Sequence, residues 1–214
     1  YIIECLKKIK VIDQIVLAIS KNVQNNIYAN FAKKNNIKFI FGDELDVLSR
    51  LIKSCNHVNG TDIFRVTTES PFFLFENISN VWKIHKELGN DLTTIDDVPD
   101  GSGFEIIRLG AYKTSHKKGN KKHRSELCSL FIRENKKKFK FYKYRIDSLY
   151  KRKDLRLTAD YPEDLILLRA VYAKFKRHYP HIPLKKIINF LDKEKNLKKL
   201  TNKYTREGSK LMYL

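Results

Sequence analysis

One short pattern occurs twice in this chain, at Arg65-Val66-Thr67-Thr68-Glu69-Ser70-Pro71 and at Arg156-Leu157-Thr158-Ala159-Asp160-Tyr161-Pro162. Both copies read arginine, apolar, threonine, any residue, acid, any residue, proline. Around the second copy, Leu155, Leu157 and Ala159 alternate as strand residues do. Pro162, Glu163 and Asp164 then suit a helix start, where a missing N–H costs nothing and acids meet the positive end of the helix dipole. A strand that runs into a helix with a carboxylate at the joint is a unit of an open α/β sheet, in which ligands bind beyond the carboxyl ends of the strands. Two copies therefore predict Glu69 and Asp160 on one functional edge. Such a pair suits Mg²⁺ bridging substrate phosphates, because that ion takes oxygen ligands, keeps waters and uses one or two carboxylates. The competing reading is that Asp160 only caps its helix and Glu69 is a surface loop acid.

Along the rest of the chain, apolar runs and helical spacing alternate. Ile15 to Ile19 and Ile37 to Phe41 read as strands, with Asn25 to Asn35 a helix between them. Asp43 or Asp46 opens the next helix. Asp62 to Thr67, Leu92 to Ile95 and Phe104 to Ile107 read as strands, and Phe72 to Leu88 as a helix. Lys113 to Arg124, basic and glycine-containing, is expected to form a loop or a mobile arm, followed by a helix from Ser125 to Arg133. Lys138 to Ile146 reads as a bulged strand and Ile182 to Leu191 as a helix, while the lysine-rich tail from Asp192 onward has little periodicity. This alternation predicts an α/β fold.

Composition narrows the class. No apolar run has membrane-spanning length and no signal-peptide pattern is present, so the chain is expected to be soluble and cytoplasmic. Cys5, Cys55 and Cys128 are odd in number and lack metal-ligand spacing, which argues for reduced thiols. The net charge of +19 attracts polyanions. Most of it comes from lysine in a chain also rich in asparagine and isoleucine, a usage that AT-rich coding also produces.

Four blocks, in order, resemble the cytidylyltransferases of the CMP-sugar type, in particular the spore coat polysaccharide branch. They are Gly42 to Arg50 with Asp46-Val47-Leu48, Phe64 to Pro71, the pair Pro99-Asp100-Gly101 with Glu105 and Arg124 with Glu126, and Leu155 to Leu165. The resemblance implies a three-layer α/β/α, mixed-sheet, Rossmann-like fold of the nucleotide-diphospho-sugar transferase kind. It implies transfer of CMP from CTP to an acidic sugar or sugar phosphate, with release of pyrophosphate, in glycan or polysaccharide biosynthesis. On that basis Glu69 and Asp160 are the Mg²⁺ ligands and Arg65 and Arg156 the catalytic arginines. Ser20, Gly42, Asp46 and Arg50 belong to the nucleotide pocket, and Asp100, Gly101, Glu105, Arg124 and Glu126 to the substrate side.

The chain departs from the family pattern in three places: Glu69 stands where aspartate is usual, Leu127 where relatives carry histidine, and Ile19 where they carry threonine. The resemblance further implies one domain whose N-terminal strand and triphosphate-cradling loop would precede Tyr1. Residues 1–214 alone are then expected neither to bind CTP well nor to turn over. Residues 104–150 are a candidate substrate or dimerisation subdomain, and a homodimer stays open.

Two other classes compete. A degenerate, non-catalytic family member is one. A nucleic-acid module is the other, since Lys136 to Arg145 interleave basic and aromatic residues as single-strand binders do. The preferred reading of that stretch is an edge strand whose lysines face solvent and block aggregation. Binding to a random oligonucleotide should accordingly be weak; tight binding with a steep log–log salt slope in a titration would favour the module.

Overall fold

Ile106 and Ile107 are neighbours on one strand and both are buried, at 2% and 0% exposure. Adjacent strand residues point to opposite faces, so this strand is covered on both sides and the architecture has three layers. The computed structural model describes the backbone of residues 1–212 and the side chains of residues 1–205. In chain order the elements are α1 (Ile2–Lys7), β1 (Val16–Ser20), α2 (Asn26–Lys34), β2 (Lys38–Gly42), α3 (Val47–His57), β3 (Asp62–Arg65), α4 (Ile78–Leu88), β4 (Leu92–Ile95) and β5 (Phe104–Arg108). They continue with α5 (Leu109–Lys118), α6 (Lys121–Arg124), α7 (Leu130–Glu134), β6 (Phe141–Lys143), α8 (Pro162–Phe175), α9 (Leu184–Lys193) and α10 (Lys195–Met212).

β1 and β2 pair in parallel, with Ser20 opposite Gly42. The other four strands form a mixed sheet in the order β3-β5-β4-β6, antiparallel except for the parallel β4 and β6 pair. One face packs Ile106 and Ile95 against α4, α8 and α9 through Val81, Leu167 and Ile187. The opposite face packs Ile107 and Leu92 against α3, α5 and α7 through Leu48, Tyr112 and Ile132. β5, the first strand of the 104–150 stretch, lies between β3 and β4 inside this sheet.

Several expected elements take a different form. Lys113 to Arg124 is no loop: most of α5 and all of α6 occupy it, because Ala111, Tyr112 and Ser115 share a buried face while Lys113, Lys117 and Lys118 stay outside. Phe72, Phe73 and Leu74 are buried in an irregular approach to α4, and α7 begins only at Leu130. The strand expected over Lys138 to Ile146 shrinks to β6, and the aperiodic tail forms α10. Leu155 to Ala159 is extended but joins no sheet, its one bridge being Arg156 with Asp100. Among the described residues no helix is long and apolar enough to cross a membrane.

A buried polar chain ties β3, α4 and β4 together. His85, with 0% exposure, meets Thr93 Oγ1 through Nδ1 at 2.9 Å and Asp62 Oδ1 through Nε2 at 3.1 Å. Burial alone raises the Asp62 carboxyl, but hydrogen bonds from His85, Thr61 and Lys86 outweigh it and bring it down to about 2. A carboxyl depressed in the folded state adds stability above its unfolded value, near 4, and loses it as pH falls toward 2. Asp62→Asn should lower Tm at pH 7, with the gap to the wild type closing below about pH 3 in a thermal-melt series.

Candidate active site

Three chain segments meet where the repeated pattern ends. Asp100 donates its N–H to Leu155 O at 2.9 Å and accepts from Leu157 N at 2.7 Å, and Ala159 N donates to Glu69 O at 3.0 Å. That last bond joins the backbone at the end of one copy of the pattern to the backbone at the end of the other, next to Asp160. Gly101 makes the close approach possible: its φ is +82°, and a Cβ there would lie 2.8 Å from backbone atoms of Leu157 and Thr158. Its expected substrate-side role is thus preceded by a packing one.

Arg156 lies at the centre of this junction with its side chain 4% exposed. Its Nε donates to Asp164 Oδ1 at 2.9 Å and its Nη1 to Asp100 Oδ2 at 2.6 Å, while Nη2 serves both Asp164 and Asp160. All three nitrogens are committed to carboxylates, so Arg156 does not reach out to a substrate as a catalytic arginine must. Asp164 also accepts the backbone N–H groups of Asp160 and Tyr161, each at 3.0 Å, closing the N-terminus of α8. Burial pushes the Asp100 carboxyl up, against the pull of Arg156.

Beside the junction is a cleft of about 100 Å³ whose apolar walls include Phe73, Phe104 and Leu127. Its polar lining joins Arg65 and Glu126 to a buried cluster. Arg133 grips Asp96 with two nitrogens, at 3.1 and 3.2 Å, and donates to Glu105 Oε1 at 2.7 Å. Ser129 donates to the same Glu105 oxygen at 2.6 Å. Burial opposes the charge on Arg133, but Glu105 and Asp96 hold it protonated well above the ordinary arginine value. Arg65 Nη2 donates to Glu126 O at 2.9 Å, and its Nη1 stands 4.0 Å from Glu105 Oε2, a buried oxygen with no hydrogen-bond partner. Glu126 thus contributes its main chain here.

The residues expected at the nucleotide gather at the ends of β1 and β2. Ser20 Oγ accepts from Asn25 Nδ2 at 2.6 Å, and the Arg50 side chain lies over Gly42 where a Cβ would collide with it. Asp46 caps α3 through Ser49 N at 2.8 Å and reaches His116 Nε2 at 2.7 Å with its other oxygen. Arg124 donates to His116 O at 3.1 Å. The Nε atoms of Arg50 and Arg124 are buried without partners. Burial pushes the Cys128 thiol up to about 11 and raises the thiols of Cys5 and Cys55, so all three free cysteines are poor nucleophiles.

The residue reading missed Asp96, His116, Arg133 and Asp164 as parts of this edge. Asp96 was legible in principle, being an acid directly after a strand; the other three carried no local signal. As a cation site, Glu69 and Asp160 supply hard oxygen donors of the type Mg²⁺ takes. Among the described residues no group of three or more acid, histidine or cysteine ligands stands ready for a metal.

The sequence model of the family described as Cytidylyltransferase matches residues 1–210. An uncharacterized protein of Methanocaldococcus jannaschii is 25% identical over 203 residues, covering 94% of this chain and 82% of that protein. Spore coat polysaccharide biosynthesis protein SpsF of Bacillus subtilis is 24% identical over 182 residues, covering 85% of this chain and 75% of SpsF. A solved cytidylyltransferase from Leptospira borgpetersenii superposes with a TM-score of 0.82 at 20% identity, over 92% of this chain and 83% of the other. CMP:2-keto-3-deoxy-manno-octonic acid synthetase complexed with CTP superposes at 0.57 with 9% identity, over 80% and 85%. Those two likenesses establish the fold.

Replacing Gly101 tests the junction. Gly101→Ala forces a side chain onto a left-handed residue against backbone that cannot yield, and should cost roughly 2 kcal/mol or more. In a thermal melt that is a fall in Tm of about 5 °C.

Proposed function

The chain belongs to the cytidylyltransferase family, and from that premise we propose that it transfers CMP from CTP to an acidic sugar or sugar phosphate, in surface polysaccharide or glycan biosynthesis. The acceptor oxygen attacks the α-phosphorus of CTP, the bond to the β-phosphate breaks, pyrophosphate leaves and the acceptor gives up its proton. The observation that carries this reading is the backbone bond from Ala159 to Glu69, which joins the segments of the two acids beside a polar-floored cleft lined by Thr67 and Ser70. Phosphoryl-type transfer is mostly positioning and charge neutralisation, so acids for a cation and basic groups for oxygens are the parts it needs.

In this reading Glu69 and Asp160 hold Mg²⁺, whose contribution when bound is to neutralise charge on the phosphates. Ser20, Gly42, Asp46 and Arg50 bound the nucleotide, with Arg50 and Arg124 directing buried, unpartnered N–H groups that an anion would satisfy. Arg65 faces the acceptor from the cleft, and Glu105, with one unpaired oxygen, takes a hydroxyl donor there. The relation to SpsF, whose name places it in polysaccharide biosynthesis, supports the biosynthetic setting. The synthetase complexed with CTP shares the fold, which supports CTP as the nucleotide.

Nucleotide triphosphates screened against the natural full-length protein, with and without Mg²⁺, test this directly. CTP should raise Tm by several degrees in a magnesium-dependent manner, and Asp160→Asn should abolish the shift. Stabilisation by no nucleotide would favour a non-catalytic family member.

A further inference from the structure

The three carboxylates around Arg156 are not equivalent, and the difference assigns them different work. Asp164 is 1% exposed, and its two oxygens receive Arg156 Nε, Arg156 Nη2 and two backbone N–H groups. Asp100 is 13% exposed and takes Arg156 Nη1. Asp160 has a side chain 49% exposed, and Arg156 engages only its Oδ2. Among the described residues, no hydrogen bond engages the Asp160 Oδ1 atom. One guanidinium shared by three carboxylates leaves two negative charges uncompensated inside the junction. Of the three, the acid of the repeated pattern is by far the most open to solvent, with Asp100 and Asp164 largely enclosed.

We propose that Asp100 and Asp164 are positioning residues that act through Arg156 to set the orientation and cation affinity of Asp160. This rests on the Mg²⁺ reading of the site above, and it moves Asp100 from the substrate side to the support of the cation. Asp164 fixes Arg156 against the first turn of α8, and Arg156 fixes one oxygen of Asp160, so the other is presented without rotamer search. Asp100 competes with Asp160 for the same guanidinium. Its charge keeps Arg156 from neutralising Asp160 fully and adds to the negative potential that a cation meets. Neutralising Asp100 therefore weakens cation binding by two routes of the same sign. Groups that hold a ligand from behind are worth about 10- to 100-fold in metal affinity.

The test uses Mn²⁺ as the probe, followed by the loss of its free-ion electron paramagnetic resonance signal on titration into the natural full-length protein with CTP. Asp100→Asn keeps the size of the side chain and an oxygen for Arg156 Nη1; it should weaken Mn²⁺ binding about tenfold or more. Its affinity for CTP without a divalent ion, and its circular dichroism spectrum, should be unchanged. Arg156→Lys should weaken Mn²⁺ binding further, and Asp160→Asn should remove it. Since removing a buried partner of an ion cluster can prevent folding, Asp100→Asn carries the decision. A folded Asp100→Asn protein with wild-type Mn²⁺ affinity, beside loss of binding in Asp160→Asn, would overturn the positioning role alone. Unchanged binding in Asp160→Asn, or no binding by the wild type, would overturn the cation reading and this inference with it.

Discussion

A buried guanidinium is the constraint around which the functional edge is arranged. Removing the Arg156 charge from water is expensive, and a lone opposing carboxylate rarely offsets such a loss unless the remaining N–H groups are also satisfied. Here they are satisfied from three directions at once: Asp164 from the head of α8, Asp100 from the turn after β4, and Asp160 from the strand-to-helix joint. None of these segments belongs to a sheet. The ion cluster, with the Asp100 and Ala159 backbone hydrogen bonds, fixes their relative positions where no β-ladder does so. Deleting any one carboxylate would loosen a neighbour as well as Arg156, so the cluster supplies geometry more than net stability.

The second buried cluster follows the same logic on the other side of the edge. Arg133 is matched by Asp96 and Glu105, and Ser129 fills the remaining lone pair. That leaves Arg65 the cation of the cleft that is not saturated by carboxylates, and Glu105 Oε2 the acceptor that is not saturated by donors. A wall of Phe73, Phe104 and Leu127 keeps water sparse around them, which strengthens whatever polar contact a ligand makes there. The two arginines of the repeated pattern thus diverge in use although they match in sequence. Arg156 is locked inside, whereas Arg65 keeps one hand on a main-chain carbonyl and the other near an unpaired oxygen.

Sequence periodicity revealed the strands and the helices around them because β1 and β2 are apolar runs, β4 and β5 are rich in branched and aromatic residues, and α3, α4 and α9 carry one buried stripe each. It failed where tertiary contacts decide. Lysines and a glycine made α5 and α6 look like a loop, yet the three buried residues Ala111, Tyr112 and Ser115 suffice to seat a helix whose other face is solvated. Leu155 to Ala159 alternates in apolarity as a strand would, but its partners are a turn and a loop carbonyl, so the alternation reports burial without a ladder. At the edge itself, the repeat pointed to the two segments that the Ala159 N–H to Glu69 O bond joins. The roles of Asp164 and Arg133 were not, since nothing local distinguishes a helix-capping acid or a helical arginine from one that organises a site across the fold.

The departure at Glu69 becomes intelligible from the same geometry. Its backbone is pinned by the bond from Ala159, so the origin of the side chain is as fixed as that of Asp160. What differs is the arm. Asp160 is short and held by Arg156, whereas Glu69 has an extra methylene and only a long 3.4 Å contact from Thr68 Oγ1. A rigid carboxylate paired with an adaptable one suits a hard cation that carries waters and substrate oxygens, since the flexible partner adjusts to whatever the phosphates leave open.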